Sequence, residues 1–254
     1  MATWLDLERE LRTWRAAGET PTFWWRDDDA DAPTAALERL LALADGHGAP
    51  LHLAVVPRDV SPELAPLLGQ SGEVYVLQHG FAHVNHEPAG APAAEVGQGR
   101  PATLKLRDLR EGWRRLRAAQ LPNLLPGLTP PWNRISHDTV VQLPRLGYRL
   151  LSTGYPRKAR KAAPGLHRVN IHVDPIRWKR GPEFRQVEGT LELLTEHLAR
   201  RRLGVVDPAE PTGLSTHHLQ TGEPVWEFLD QLLERLTHRE RGRWVRLASI
   251  LESG

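Results

Sequence analysis

The length, composition and charge of the chain exclude several classes of protein. Its 254 residues contain no cysteine, which removes disulfides, thiolate zinc sites and cysteine nucleophiles from consideration. The 33 lysines and arginines nearly balance the 31 aspartates and glutamates, so we expect no nucleic-acid partner. No apolar run approaches the roughly 20 residues that span a bilayer, and the first residues lack the pattern of a secretory signal. We therefore expect a cytoplasmic protein that folds as one domain over residues 1–254, a length common for α/β barrels.

Strand-like and helix-like segments alternate along the chain. After an amino-terminal stretch with apolar residues near helical spacing, short apolar runs bounded by turn residues predict strands. These strands are expected at 22–25, 51–56, 74–77, 126–129, 148–152 and 213–216. Helices are expected at 35–44, from 61 onward, and at 104–119, 136–146, 187–202 and 225–239. The long segment 79–101, rich in Gly, Pro and Ala, is typical of a functional or mobile loop.

This alternation favours parallel strands joined by crossover helices. About seven strand–helix pairs fit in the chain, so a closed or nearly closed β/α barrel is predicted, with a doubly wound open sheet as the alternative. No glycine-rich phosphate loop follows the first strand, which argues against nucleotide binding.

Four polar clusters follow predicted strands. They are the aspartates at 27–29, the histidines at 79, 83 and 86, the segment 130–134, and the histidine pair at 217–218. In parallel β/α folds the carboxyl ends of the strands share one face, and functional sites form there. The four clusters are therefore expected to meet in one site.

The chemistry of these residues points to a metal-dependent hydrolase. A helix cap could use one of three consecutive aspartates but does not need all three. His79 and His83 have the i, i+4 spacing that places two imidazoles on one side of a helical turn, although two surface histidines would show it too. Two histidines and one aspartate form a three-ligand catalytic site with an open position for water. His217 is either a polar strand end or a general acid beside such a water.

These clusters, in this order, resemble the motifs of the polysaccharide deacetylase (NodB-homology) family. The matching segments are RDDDA at 26–30, HGFAH at 79–83, TPPWN at 129–133 and STHH at 215–218. Gly80 stands where the family has Ser or Thr, and Thr129 stands where it has Arg. The Asp and Trp of a further family motif have an echo in Asp174 and Trp178. The resemblance implies a distorted seven-stranded (β/α)7 barrel.

The resemblance also implies roles for individual residues. Asp28 would be the catalytic base, while Asp29, His79 and His83 would hold one divalent metal ion, with zinc preferred.

The other expected roles concern proton transfer and the substrate. His217 would protonate the leaving amine, and Arg134 would orient the base, with Arg26 as the alternative for the missing family arginine. The substrate would be a carbohydrate or a sugar-derived small molecule, held by Trp132, Pro131 and His218.

The expected function is therefore removal of an N-acetyl or other acyl group from a sugar-type substrate. Two alternatives remain: a carbohydrate-binding barrel without turnover, and a metal-dependent amidohydrolase acting on a small non-sugar amide. Nucleic-acid binding through the basic runs 157–161 and 200–202 is a weaker reading, because such runs are usually solvated faces.

Overall fold

The computed structural model describes residues 1–237 and 241–252. The helices are α1 (Trp4–Ala16), α2 (Ala35–His47), α3 (Leu64–Leu68), α4 (Ala102–Ala118), α5 (His137–Val140), α6 (Gln186–Arg202), α7 (Glu223–Thr237) and α8 (Leu247–Glu252). The strands are β1 (Thr22–Ala30), β2 (Leu51–Val55), β3 (Val74–His79), β4 (Leu124–Thr129), β5 (Leu150–Leu151), β6 (Lys161–Ala163), β7 (Leu166–Arg168), β8 (Ile176–Arg177), β9 (Glu183–Phe184), β10 (Thr212–Thr216) and β11 (Arg243–Trp244). Short 3₁₀ turns cover Pro131–Asn133, Leu143–Leu146 and His218–Gln220.

The predicted elements are found, with three main differences in their extent. Strand β1 continues to Ala30, so the three aspartates lie inside it rather than after it. The expected helix at 136–146 is instead α5 followed by a 3₁₀ turn, because Pro144 lacks the N–H that a continuous helix needs. Helix α7 begins earlier than expected, and predicted helix positions 238 and 239 lie outside the described residues.

The strands form the barrel that the sequence predicts. Parallel pairing runs in the order β10–β1–β2–β3–β4–β5–β7. Strand β6 pairs antiparallel with β7, and β11 pairs parallel with β1. The gap between β5 and β10 is spanned by the chain after β7, through isolated bridges from Ile171 to Gly154 and from Val173 to Leu214. Single bridges replace a full strand there, so the fold is a distorted (β/α)7 barrel and not the doubly wound open sheet.

Both faces of the barrel strands are buried, as expected when helices cover a parallel sheet. Trp24 on β1 points inward and packs with Leu77 and Leu150. Its neighbour Trp25 points outward into the larger core between the strands and the helices. None of the helices in the described part of the chain is long and apolar enough to cross a membrane.

Helix α8 packs at the end of the barrel opposite the carboxyl ends of the strands. Leu247 joins the apolar cluster inside the barrel, and its N–H donates to His52 Nε2 at 3.0 Å. His52 Nδ1 lies 3.0 Å from the carbonyl oxygen of Trp25, which can only accept, so Nδ1 carries the proton. Both hydrogen bonds therefore require a neutral imidazole.

This arrangement predicts that acid weakens the protein through His52. Burial lowers the pKa of His52 from 6.5 to about 4. Below pH 6.5 the His52 side chain binds a proton in the unfolded chain but stays neutral in the folded protein. The stabilisation from His52 is therefore complete above pH 6.5 and is lost as the pH falls toward 4. At about 1.4 kcal/mol per pKa unit, the full loss is about 3 kcal/mol. Urea unfolding across this window measures it.

The matched variant is His52→Gln, whose amide oxygen accepts a hydrogen bond but does not titrate. We expect the variant to show a shallower loss of stability between pH 6.5 and 4 than the wild type. Parallel curves for the two proteins would contradict the role of His52.

Candidate active site

The carboxyl ends of β1, β3, β4 and β10 converge on one pocket of about 200 Å³. The residues that line it come from segments far apart in the sequence: Asp28, Asp29, His79, His83, Trp132, Asn133, Arg134, Asp174, Trp178 and His217. All four polar clusters singled out in the sequence contribute at least one of these residues.

A bulge in β1 allows two of its three aspartates to face the pocket. The pairing of β1 with β2 shifts register between Asp27 and Ala30, and Asp29 has a left-handed φ of 75°. Asp28 faces the pocket by the normal alternation of a strand, and the bulge turns Asp29 toward it as well. Asp27 faces the other way and is fully buried. Two consecutive carboxylates therefore reach one pocket, which a regular strand would not allow.

Asp29, His79 and His83 form a cluster whose ligand-type atoms all lie within 4.8 Å of one another. Asp29 Oδ1 is 3.2 Å from His79 Nε2 and 3.3 Å from His83 Nε2. His79 Nδ1 lies 3.0 Å from the carbonyl oxygen of Thr129 and must donate to it, which leaves the Nε2 lone pair directed at the cluster.

The charges within the cluster are strongly coupled. Burial by itself would raise the pKa of Asp29, but electrostatic attraction from His79 and His83 holds it well below its ordinary value. Burial opposes the charged form of His79, yet Asp29 and Asp28 leave the pKa of His79 raised. Burial and the neighbouring His79 lower the pKa of His83. The carboxylate is therefore ionised and His83 favours its neutral form, the states in which these groups bind metals.

The two histidines meet through an irregular turn, not through the helical turn that their spacing predicts. Strand β3 ends at His79, and no helix covers residues 80–83. Gly80 and His83 have left-handed φ values of 55° and 53°. These two positions fold the chain back on itself, so both imidazoles face Asp29.

Arg26, and not Arg134, holds Asp28. Arg26 Nη2 donates to Asp28 Oδ2 at 2.8 Å, and Arg26 Nε lies 2.8 Å from Asp28 Oδ1. The two residues stand two apart on β1, so their side chains share a face. The exposed Arg134 lines the pocket but donates to the carbonyl oxygen of Ala93 at 2.9 Å. The prediction that Arg134 orients Asp28 is wrong in this geometry.

Arg26 is itself fixed by two further partners. Its guanidinium donates to Ser152 Oγ and Asn133 Oδ1, each at 2.8 Å. Neither partner was predicted, although Asn133 belongs to the TPPWN segment. Thr129, at the family's arginine position, is fully buried and its hydroxyl makes no hydrogen bond in the structure.

His217 lies between two carboxylates at the pocket wall. Its Nε2 is 3.8 Å from Asp28 Oδ2, and its Nδ1 is 4.0 Å from Asp174 Oδ2. Trp178 packs edge-on against the His217 ring at 4.5 Å and donates from Nε1 to Asp174 Oδ2 at 2.9 Å. Burial raises the pKa of Asp174. Asp174 and Trp178 thus belong to the candidate site, although in the sequence they match the corresponding family motif only weakly.

One of the three predicted substrate-binding residues lines the pocket. Trp132, with a left-handed φ of 56°, packs its ring 4.4 Å from that of His83. Pro131 is buried beneath the turn at Gly80. His218 is also buried, and its Nδ1 lies 2.6 Å from Asp27 Oδ1. The expectation that His218 touches substrate is wrong, because its strand end turns it toward Asp27 and away from the pocket.

Comparison with known proteins by sequence gives no match, either to a family model or to a curated protein. Comparison by structure gives clear matches. A Mycobacterium smegmatis protein assigned to the polysaccharide deacetylases superposes with a TM-score of 0.64 at 14% identity, covering 92% of this chain and 90% of that one. A family 4 carbohydrate esterase from Streptomyces lividans, in complex with acetate, superposes at 0.56 with 11% identity, covering 87% and 90%.

A family 4 pseudoenzyme from Bacillus anthracis has the same fold. Its TM-score is 0.58 at 14% identity, and the match covers 91% of this chain and 66% of that one. These likenesses confirm the predicted fold, the (β/α)7 barrel of the polysaccharide deacetylases. Because the group includes a pseudoenzyme, whether this chain turns over substrate must be argued from its own residues.

Proposed function

We propose that this protein is a metal-dependent hydrolase that removes an N-acetyl or other acyl group from a sugar-type substrate. The observation that carries the proposal is the cluster of Asp29, His79 and His83, with Asp28 and His217 on the adjoining pocket wall. The fold shared with family 4 deacetylases supports the same reaction class.

The donor set fits a divalent ion. It offers two imidazole nitrogens and one carboxylate oxygen, the ligand types that zinc takes in catalytic sites with an open position. Asp29 Oδ1 is buried, and no hydrogen bond satisfies it in the structure. A cation among the three residues would satisfy this atom. When bound, such an ion supplies Lewis acidity toward a carbonyl oxygen and toward water.

Asp28 is proposed as the general base. Arg26 holds both of its oxygens near fixed positions, so the carboxylate faces the pocket in one orientation. It accepts the proton of a water that attacks the amide carbonyl. Arg26 thereby performs the orienting role of the family arginine. Thr129, which stands at the position of that arginine, has no charge and cannot perform this role.

His217 is proposed as the general acid. Its Nε2 faces the pocket beside Asp28, so it can deliver a proton to the nitrogen of the leaving amine. Asp174 lies on the Nδ1 side of the ring, and the Trp178 indole packs against His217 while donating a hydrogen bond to Asp174. Proton removal and proton delivery are thereby assigned to two different side chains that lie next to each other on the pocket wall.

The size of the pocket supports a small acyl group as its occupant. A volume of about 200 Å³ accommodates an acetamide and excludes a polymer, whose remaining units would lie outside the pocket. The Trp132 and Trp178 side chains present flat apolar faces of the kind on which sugar rings pack.

The test of the proposal is acetate release by the zinc-loaded protein. N-acetylglucosamine, its short β-linked oligomers and simple acetamides are compared, each with a chelated sample as the control. We expect metal-dependent release from the sugars that exceeds release from the acetamides. Release from acetamides alone would favour the small-amide amidohydrolase, and binding of the sugars without release would favour the carbohydrate-binding alternative.

A further inference from the structure

Glu95 is a buried carboxylate that the proposed reaction does not use. It lies in the long segment after β3 and is 1% exposed. Its Oε2 accepts from the N–H of Phe81 at 2.9 Å, and its Oε1 accepts from the N–H of Ala82 at 2.7 Å. Both oxygens therefore hold the stretch of backbone that connects His79 to His83.

The space that Glu95 occupies explains the glycine in HGFAH. A Cβ at Gly80 would lie 1.9 Å from Glu95 Oε2 and 2.6 Å from Pro131 Cδ. A side chain at position 80 and the carboxylate of Glu95 therefore exclude each other in this backbone. Where the family sequence places Ser or Thr beside the first histidine, this chain places the carboxylate of Glu95, which lies further along the same segment.

The segment that carries Glu95 is held firmly. Val96 bridges to Ile135, and its carbonyl oxygen accepts from the Ser136 N–H at 3.0 Å. The buried Lys105 donates to the carbonyl oxygen of Gly97 at 2.7 Å. These contacts hold the backbone of the segment in place, so the Glu95 carboxylate keeps a fixed position beside the turn at 80–83.

The charge of Glu95 is not balanced by a neighbouring side chain. Within residues 1–237 and 241–252 it forms no ion pair, and backbone N–H groups are its hydrogen-bond donors. Buried charges in proteins are normally paired or associated with a metal. A cation at the nearby cluster would provide the missing countercharge.

We propose that Glu95 is a positioning residue for the metal centre and acts through His83. By binding two consecutive N–H groups it fixes the backbone that enters His83, whose φ of 53° directs its Nε2 to 3.3 Å from Asp29 Oδ1. The inference rests on the proposed metal site and adds to it a residue that touches neither metal nor substrate.

The test compares zinc affinity and the visible spectrum of the Co²⁺-loaded protein in the wild type and Glu95→Ala. Loss of such a partner behind a ligand typically weakens metal binding by about 10- to 100-fold, and we expect that range here. The Co²⁺ spectrum should change because the position of one ligand changes. Glu95→Gln should fall between the two, since its amide offers one acceptor oxygen and turns an NH₂ group toward the second N–H.

The matched control is Glu87→Ala. Glu87 lies on the same segment and also accepts a backbone N–H, that of Gly99 at 2.8 Å, so the variant loses the same charge. Its zinc affinity should equal that of the wild type. Unchanged affinity and spectrum in Glu95→Ala, or an equal loss in Glu87→Ala, would overturn the role of Glu95 and leave the metal site standing.

Two further outcomes separate the inference from the proposed function. Failure of the wild type to bind zinc or Co²⁺ would overturn the metal site and the role of Glu95 together. If Glu95→Ala does not fold, judged by circular dichroism, Glu95→Gln carries the test, because it keeps the buried volume.

Discussion

Asp28→Asn should abolish turnover while leaving the metal site loaded. The asparagine has the same shape and keeps its place beside Arg26, but its amide cannot accept a proton from water. General-base catalysis typically contributes about 10²- to 10⁴-fold, so we expect kcat to fall by at least that factor. Metal content should stay at the wild-type value, because Asp29 and not Asp28 belongs to the ligand cluster. Steady-state kinetics and elemental analysis of the same preparation measure both quantities.

Asp27→Asn is the matched control for this prediction. It makes the same chemical change one residue away, on a side chain that accepts from Thr216 and His218 and faces away from the pocket. We expect it to lower the melting temperature and to leave kcat near the wild-type value when assayed well below that temperature. Full activity in Asp28→Asn would remove Asp28 as the base, and loss of metal would make it a ligand instead.

His79→Ala/His83→Ala should lose the metal and with it all activity. The variant leaves one carboxylate of the three-ligand cluster, too little to hold zinc against water and buffer. Near one ion per chain is expected in the reconstituted wild type and almost none in the double variant. Because an ion that binds only the folded state stabilises it, chelation should lower the melting temperature of the wild type alone.

The double variant His86→Ala/His137→Ala controls for the loss of two histidines. Neither residue lines the pocket, and we expect both metal content and the effect of chelation to match the wild type. Absence of metal from the wild type, even after reconstitution, would overturn the catalytic proposal and favour a barrel-shaped binding protein.

The proposed site differs from the pattern it resembles in two linked places. The arginine that orients the base comes from β1 itself, two residues before Asp28, and Thr129 occupies the usual position without charge. Gly80 has no side chain where the family has Ser or Thr, and Glu95 supplies hydrogen bonds to the turn. At position 80 the carboxylate of Glu95 occupies the space that a side chain would take, and Arg26 supplies the positive charge that Thr129 lacks.

Much of this protein is determined by its sequence alone. Short apolar runs bounded by glycine and proline, alternating with helical periodicity, predict the strands and helices, because periods of 2 and 3.6 residues are local properties. They favour a β/α barrel, with a doubly wound open sheet as the alternative. The absence of cysteine, together with Asp and His clusters near predicted strand ends, determines which types of ligand atom the proposed metal site can offer. The rule that parallel strands end on one face predicts that these clusters meet.

The direction of individual side chains was decided only by the tertiary structure. Left-handed backbone at Asp29, Gly80 and His83 turns carboxylate and imidazole groups into the pocket, and no periodic pattern shows a single inverted φ. The alternation of β1 could have assigned Arg26 to Asp28, but the continuation of that strand to Ala30 was not apparent from local preference.

Pairings across long sequence separations were decided in the same way. His218 contacts Asp27, which lies 191 residues away in the sequence. Asp174 lies near His217 because the segment before it pairs with β10 through a single bridge. Such contacts depend on how strands and loops are placed in space, and side-chain type constrains them only weakly. The sequence therefore identified the types of residue in the candidate site, while the contacts that distinguish their roles arise from the distorted barrel and the bulge in β1.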